Sequence, residues 1–253
     1  MDAARLVLLA SVLLVALPTH AADSREQAKL ARATEVLERF TRIPEESIPP
    51  ALLRGAYGVA VLPSVIKGGF FVGGRRGKGI LVIRSGNGEW SNPSFITLTG
   101  GSVGWQIGGQ STDVVLVFKS SKSIDNITEG KLTLGGDAAI AAGPVGRQTA
   151  AATDLRLAAE VYSYSRSRGL FAGLSLEGSM ISIDEAANRA FYGNKGITAD
   201  EVLADQSLAT PASARRFILA LEHAAPAVAA EQPDTEPADD TEPGKTYALE
   251  DVE

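Results

Sequence analysis

The sequence predicts an α+β fold: a curved, largely antiparallel, Gly-rich β-sheet flanked by N- and C-terminal helices. The same pattern suits a sheet partly closed into a barrel or one left open as a saddle. Three observations lead there. Of the 26 glycines, 25 lie between Gly55 and Gly196. Between them run short β-branched and aromatic stretches, Val59–Leu62, Ile80–Ile83, Phe95–Leu98, Asp113–Phe118, Val161–Ser165 and Met180–Ile183. Such runs, punctuated by Gly, Asn and Ser, read as strands joined by tight turns. Helical periodicity, by contrast, is confined to the two flanks.

In chain order, Arg5 precedes the apolar run Leu6–Leu17, then Pro18 and the small-residue site Thr19-His20-Ala21. This is the layout of a secretory signal. Residues 1–22 are therefore expected to be a signal peptide cleaved near Ala21/Ala22, which places the mature chain in a periplasm, soluble or peripherally bound to a membrane. The apolar run, about 12 residues, is too short to cross a ~30 Å hydrocarbon core as a helix. The sequence has no cysteine, so the exported chain folds without disulfides and has no lipoprotein attachment residue.

Residues 23–54 form a helical segment. Asp23 or Ser24 can cap a helix to about Arg42, with Leu30, Ala33, Leu37 and Phe40 on one stripe. Pro44 would stop it, and Pro49-Pro50 would open a short helix through Leu52 and Leu53. Residues 55–196 are the β-rich body. Asn87-Gly88 is its best hairpin signal, expected with positive φ at both central residues. Gly104, Gly108 and Gly109 suggest bends or bulges. Residues 197–225 return to helix: Thr198-x-x-Glu201 fits a capping box, and Thr210-Pro211 fits a cap followed by proline at the first helical position. That last helix carries Phe217, Ile218 and Leu221. Residues 226–253 are acidic and rich in Pro, Ala, Thr and Asp, the composition of a disordered tail.

Charge follows these divisions. The formal net charge of −6 conceals a neutral N-terminal flank, a body of net +4 and a C-terminal stretch of net −10. Several function classes lack the necessary residues. His20 lies in the signal, leaving His223 as the single histidine beyond it; zinc sites of Cys/His type cannot be built. A Ser-His-Asp triad would have to recruit His223, on a helix outside the body, where a solvent-facing role is the simpler reading. The run Gly73-Gly74-Arg75-Arg76-Gly77-Lys78-Gly79 is no phosphate loop, because Val72 stands where the leading glycine belongs and Gly79 where a Ser or Thr belongs. Nothing singles out a carboxylate pair or a cofactor site, and the sequence makes no positive case for an enzyme, a cofactor or nucleic-acid binding.

The order of segments is more informative. Gly58-Val-Ala-Val-Leu-Pro63 is followed by Lys67-Gly-Gly-Phe, Gly73-Gly74 and Gly79-Ile-Leu-Val. Trp90-Ser91 with Pro93, Gly100-Gly101, Gln106-Ile-Gly108 and Asp113-Val-Val-Leu come next. Gly135-Gly136-Asp137 leads to Ala142-Gly-Pro-Val-Gly-Arg147. Tyr162-Ser-Tyr-Ser, Gly169-Leu-Phe-Ala-Gly173, Leu176-Glu-Gly178, Asn188 and Phe191-Tyr192-Gly193 close the series. From Gly55 to about Gly193 this succession resembles the SYLF domain family. The resemblance implies phospholipid binding, with phosphoinositides as the ligands of eukaryotic members, actin patches as the setting of fungal ones, and export as the habit of bacterial ones.

Beside that resemblance, the residues suggest where an anionic lipid would bind. Arg75, Arg76 and Lys78 are concentrated in what reads as a Gly-rich turn, and Lys67 precedes a glycine pair and the apolar Phe70-Phe71. Basic groups beside aromatics suit a headgroup and the acyl boundary together; ordinary surface charges on a hairpin tip are the plainer alternative. Arg147 matches a family motif and is either a phosphate ligand or an anchor paired with a carboxylate such as Asp137. Arg166 and Arg168 flank an expected turn and either extend the basic surface or solubilise a loop. Tyr162 and Tyr164 alternate along one strand face and are expected in the core, the default also for Trp90 and Trp105. The expected function is non-catalytic binding of a phospholipid or membrane surface in the bacterial envelope. The alternative is an envelope protein-interaction or scaffold module that uses the acidic tail as its arm.

Overall fold

The computed structural model describes residues 19–43, 47–70, 72–103, 110–144, 159–167, 170–171, 175–205 and 207–225. Within them the chain forms α1 (Thr19–Thr41), α2 (Pro50–Arg54), β1 (Gly58–Phe70), β2 (Val72–Ile83), β3 (Ser94–Val103), β4 (Gln110–Phe118) and α3 (Ser121–Thr128). There follow β5 (Lys131–Thr133), β6 (Ile140–Ala142), β7 (Val161–Ser167), β8 (Leu170–Phe171), β9 (Ser179–Ile183), α4 (Glu185–Tyr192), α5 (Ala199–Ala204) and α6 (Ala212–Ala224). The strands make one sheet in the order β5-β9-β3-β2-β1-β4-β7-β6, with β8 paired to β7. All pairings are antiparallel except β6 with β7. The expected α+β fold is present, as a curled half-barrel with helices at both ends. All six β-branched and aromatic runs lie in strands.

Alternation along the strands divides the core in two. Val59, Val61, Ile80, Val82, Phe95, Val115, Val117, Tyr162 and Tyr164 point to one face, where α1, α4 and α6 cover them with Leu30, Leu37, Phe40, Phe191, Phe217 and Leu221. This is the helical face, and both tyrosines are core residues, as their alternation predicts. Ala60, Leu62, Leu81, Ile96, Leu98, Val114 and Leu116 point to the other, inner face, filled by Ile124 and Ile127 of α3. A single eight-residue helix, α3, touches β4 as well as β5 and β9. Those strands stand far apart in the sheet order, so the sheet has to curl round α3 to bury it.

The sharpest local feature is a β-bulge in β1. Register with β2 and with β4 slips by one residue around Pro63-Ser64, and Ser64 takes φ +57°. Proline is tolerated there because a bulge needs no ladder donor. The Ser64 amide donates to Asp113 Oδ1 at 3.0 Å, and Asp113 Oδ2 pairs with Arg39 of α1 at 3.1 Å. The kinked backbone lies directly on Gly79, where any Cβ would overlap the Val61 carbonyl oxygen.

Several family-like motifs have structural explanations. Asn188 of α4 is fully buried; its Oδ1 accepts from the Phe95 amide at 2.8 Å and its Nδ2 donates to Ser94 Oγ at 2.9 Å. The Tyr192 hydroxyl donates to the Pro93 carbonyl at 2.7 Å, and Gly193 ends α4 with φ +66°. Arg84 lies 4.1 Å above the Trp90 ring centroid.

Three local expectations are corrected. The β2–β3 connection turns through Gly86-Asn87, with Gly88 N–H bonded to Ser85 O at 2.9 Å. Gly88 takes φ +88°, while Asn87 is not in the positive-φ region. This matches a three-residue hairpin ending in a left-handed glycine rather than a two-residue turn. Asn87 instead uses Oδ1 to accept the Glu89 amide at 3.0 Å, which stabilises the turn locally. At the last helix Pro211 is the N-cap itself, not the first helical residue, whereas the Thr198/Glu201 capping box forms as expected. The first helix begins before Asp23 and Ser24, because Ala21-Ala22 continue it upstream with favourable propensity. Trp105, Gly104, Gly108, Gly109, Pro44, the apolar run of the expected signal and the acidic tail 226–253 lie outside the described residues.

The bulge makes Gly79 a critical position. Gly79→Ala should destabilise the protein by about 3 kcal/mol, as overpacking against backbone does. Gly86→Ala, where a Cβ meets nothing within 4 Å, should stay within about 0.5 kcal/mol. Denaturant melts of the two variants check this.

Candidate functional site

The basic residues of β2 do not sit in a turn. Residues 72–83 are one continuous strand, and strand alternation separates the cations. Arg75, Gly77 and Gly79 are buried, while Gly74, Arg76 and Lys78 are exposed. The glycines that suggested a loop serve the strand: Gly77 accepts Val65 and Gly79 accepts the bulged backbone.

Arg76 and Lys78 project on the helical face, on the same side as Ile80 and Val82. There α1 overhangs the outer part of β1 and β2 and leaves an open groove of about 590 Å³. Lys29 and Arg32 of α1 line one wall, and Ile66, Arg76 and Lys78 line the other. Ile66 is 59% exposed, a large apolar side chain among the cations of this groove. Lys29 pairs with Glu26 at 2.6 Å and Lys78 with Asp184 at 2.6 Å. The side chains of Arg32 and Arg76 have no hydrogen bond or ion pair to a described residue. Asp184 also caps α4, accepting from the Ala187 amide at 3.2 Å. Burial opposes ionisation of Asp184, but the Lys78 and Ala187 hydrogen bonds and the nearby lysine charges outweigh it and hold its carboxyl below the ordinary range.

The other candidate residues fall elsewhere. Arg75 points to the inner face, 8% exposed, with its guanidinium donating to the carbonyls of Ser175 and Gly101. Burial lowers its pKa from the ordinary arginine value. Among the described residues its hydrogen-bond partners are backbone carbonyls, and it acts as a clamp on two backbone segments. Lys67 stands opposite Arg75 and Gln110 on that same inner face, away from the groove. Arg166 is not on a surface turn. It lies within β7, 9% exposed, donates to the Arg39 carbonyl at 3.1 Å and sits 5.3 Å from the Phe40 ring centroid. It ties the end of α1 to the sheet. Phe70 is the last residue of β1, opposite Val72. Phe71, Arg147 and Arg168 lie outside the described residues; Asp137, named as a possible partner of Arg147, accepts from the Thr133 amide at 2.7 Å. His223 is exposed, as expected. Among the described residues no group of three or more His, Cys, Asp or Glu could hold a metal ion, and no helix is long and apolar enough to cross a membrane.

Sequence reasoning missed Lys29, Arg32 and Asp184. The i, i+3 spacing of Lys29 and Arg32 marks a shared side of α1, yet only the tertiary fold sets that side over β2.

Fold and site together define a single curled-sheet domain with an open cationic groove under its first helix. The family model described as "Las17-binding protein actin regulator", Ysc84, matches residues 99–224. The chain is 41% identical over 186 residues to SH3 domain-containing YSC84-like protein 1 of Xenopus laevis, covering 71% of this chain and 55% of that protein. It is 40% identical over 175 residues to the Homo sapiens protein of the same name, covering 67% and 51%. Against Protein YSC84 of Saccharomyces cerevisiae it is 36% identical over 195 residues, covering 74% and 41%. The chain belongs to the SYLF, or Ysc84, domain family. It spans about half the length of the curated relatives it matches.

Arg75 and Arg76 are neighbours with opposite duties. Arg75→Ala should lower the melting temperature by removing the guanidinium that bridges the Ser175 and Gly101 carbonyls, whereas Arg76→Ala should leave stability within about 0.5 kcal/mol. Asp184 contributes to stability through its lowered carboxyl pKa. That contribution is complete above the unfolded-state value near 3.9 and is lost as pH falls through the lower folded value. Asp184→Asn should therefore flatten the acid limb of the stability profile below about pH 4, measured by denaturant melts across pH.

Proposed function

We propose that this chain is a non-catalytic phospholipid-binding protein of the bacterial envelope, exported by its N-terminal signal and acting at a membrane face. It takes an anionic headgroup in the groove between α1 and the β1–β2 arm. The observation that carries this reading is the pair Arg32 and Arg76: two exposed cations in one groove, without a described partner, beside an exposed isoleucine. Guanidinium groups suit phosphate because their fixed donors match its oxygens. Ile66 offers apolar contact at the level where headgroup meets acyl chain. The reading needs no cofactor and no nucleic acid. Family membership supports it, since lipid binding is what the resemblance of the sequence to SYLF domains implies. Lys67 does not line this groove; Arg75 borders it, but its guanidinium is committed to the carbonyls of Ser175 and Gly101, which leaves Arg76 and Lys78 as the cations β2 offers there.

A second reading has its own support. The family description and the name of a Saccharomyces cerevisiae relative, LAS seventeen-binding protein 3, 36% identical over 194 residues, are those of protein-binding proteins. An envelope protein partner, held through the acidic residues 226–253, is the corresponding role here. A defined partner retained by the full chain and lost on removal of residues 226–253 would favour it.

Co-sedimentation of residues 22–253 with zwitterionic and anionic vesicles tests the first reading. Binding should require the anionic lipid and fade with salt, as screening shortens the Debye length from ~10 Å at 0.1 M. Arg32→Ala/Arg76→Ala should weaken it by about 2 kcal/mol at low salt, roughly thirtyfold, at ~1 kcal/mol per cation near an anionic surface. Binding that is indifferent to both salt and this double variant would sink the groove assignment. Absence of binding would leave the protein-partner reading in front.

A further inference from the structure

The groove carries its own counter-charges, and they differ in kind. Glu26 neutralises Lys29 within one turn of α1, a local i, i+3 pair. Asp184 comes from a different part of the chain, 106 residues away from Lys78, and is fixed by backbone. Its carboxylate accepts the Ala187 amide that opens α4, and its own amide donates to the Phe95 carbonyl at 2.8 Å. Its side chain is only 14% exposed against 43% for Lys78. The carboxylate is thus the immobile member of the pair and the lysine, on a four-carbon stem, the mobile one. Asp184 also feels the charge of Lys29 across the groove.

We propose that Asp184 is the groove's built-in counter-anion, a specificity-determining residue that competes with an incoming phosphate for Lys78. The proposal rests on the lipid-binding reading and adds a rule to it. With Lys29 and Lys78 compensated internally, the open charge is that of Arg32 and Arg76. An anion that approaches Lys78 meets a fixed negative charge that cannot withdraw without uncapping α4. A sparsely anionic surface is therefore held weakly. A densely anionic one supplies enough phosphate to draw Lys78 away from Asp184 and recruit it as a third cation.

The test uses Asp184→Asn in residues 22–253. Asparagine caps a helix as well as aspartate does, so the fold is kept while the charge is removed; Asp184→Ser, which caps through a neutral hydroxyl, replaces it should that variant fail to fold. The probes are phosphatidylcholine vesicles doped with phosphatidylglycerol at a series of densities, and glycerol 3-phosphate titrated by calorimetry. The neutral variant should bind sparsely anionic vesicles about fivefold more tightly than the parent, the worth of one freed cation, with a steeper salt dependence. Lys78→Ala should abolish the gain in Asp184→Asn, and in the parent it should weaken binding most on densely anionic vesicles, where Lys78 is recruited. A gain with vesicles alone assigns the effect to a membrane surface; a matching gain with glycerol 3-phosphate assigns it to a phosphate pocket. If the folded neutral variant binds no better than the parent, while Arg32→Ala/Arg76→Ala still weakens binding, Asp184 is only a cap and the proposal falls with the lipid reading intact. If parent and neutral variant alike ignore both probes, the lipid reading fails and the proposal with it.

Discussion

The kink of β1 over Gly79 is the constraint from which the site follows. One extra residue enters β1 around Pro63-Ser64 while its neighbours β2 and β4 run on regularly. Because side chains alternate with a period of two, that insertion exchanges the faces of everything beyond it. Before the bulge Val59 and Val61 face the helices; after it Ile66 does, and Lys67 is sent to the inner face. The left-handed backbone at Ser64 is costly for a residue with a Cβ. The cost is offset by the hydrogen bond from its amide to the Asp113 carboxylate, which the Arg39 guanidinium also holds. The same chain of contacts continues to Arg166, which donates to the Arg39 carbonyl. Helix α1 is thereby fastened near its C-terminal end to β4 and β7, and through Asp113 to the bulge of β1.

That fastening explains how a groove persists at the other end of α1. Phe40, Leu37 and Leu30 are buried against the sheet, so the helix is held along its length by apolar contact and near its C-terminus by charge. Its exposed side, with Lys29 and Arg32, then projects over the outer part of β1 and β2. Across the sheet, the inner face closes round α3. Arg75 illustrates the difference: one position along β2 from Arg76, it is buried and satisfies backbone carbonyls.

The electrostatics of the groove are uneven for a physical reason. Lysines on opposite walls are met by carboxylates that the secondary structure supplies, Glu26 from the same helix and Asp184 from the cap of α4. Neither arginine has such a neighbour among the described residues. The groove's two lysines are thereby compensated from within the protein, while the exposed Arg32 and Arg76 are not. The aromatic and asparagine contacts of α4 to β3, through Phe191 at 5.2 Å from Phe95 and through Asn188, keep Asp184 at its place beside β2.

Much of this was legible in the sequence. Alternating β-branched runs located six strands, because burial on a pleated surface imposes that pattern locally. The stripe Leu30, Ala33, Leu37 and Phe40 located the buried side of α1, and Thr198 with Glu201 located a cap that forms through neighbouring residues alone. The ordered motifs were sufficient to indicate the family. The reading went astray where a residue's role depends on what lies across the fold. Glycines at 77 and 79 look like a flexible loop until β1 is seen lying on them, and Arg166 looks like a surface charge until α1 covers it. The grouping of Lys67, Arg75, Arg76 and Lys78 failed because face is decided by register, and register here turns on a bulge fixed by Asp113, a residue about 50 positions from Ser64. Local chemistry determined the elements and the composition of a basic body; only long-range packing decided which cations meet, since two side chains share a site when their backbones are brought together and not because they are neighbours in the chain.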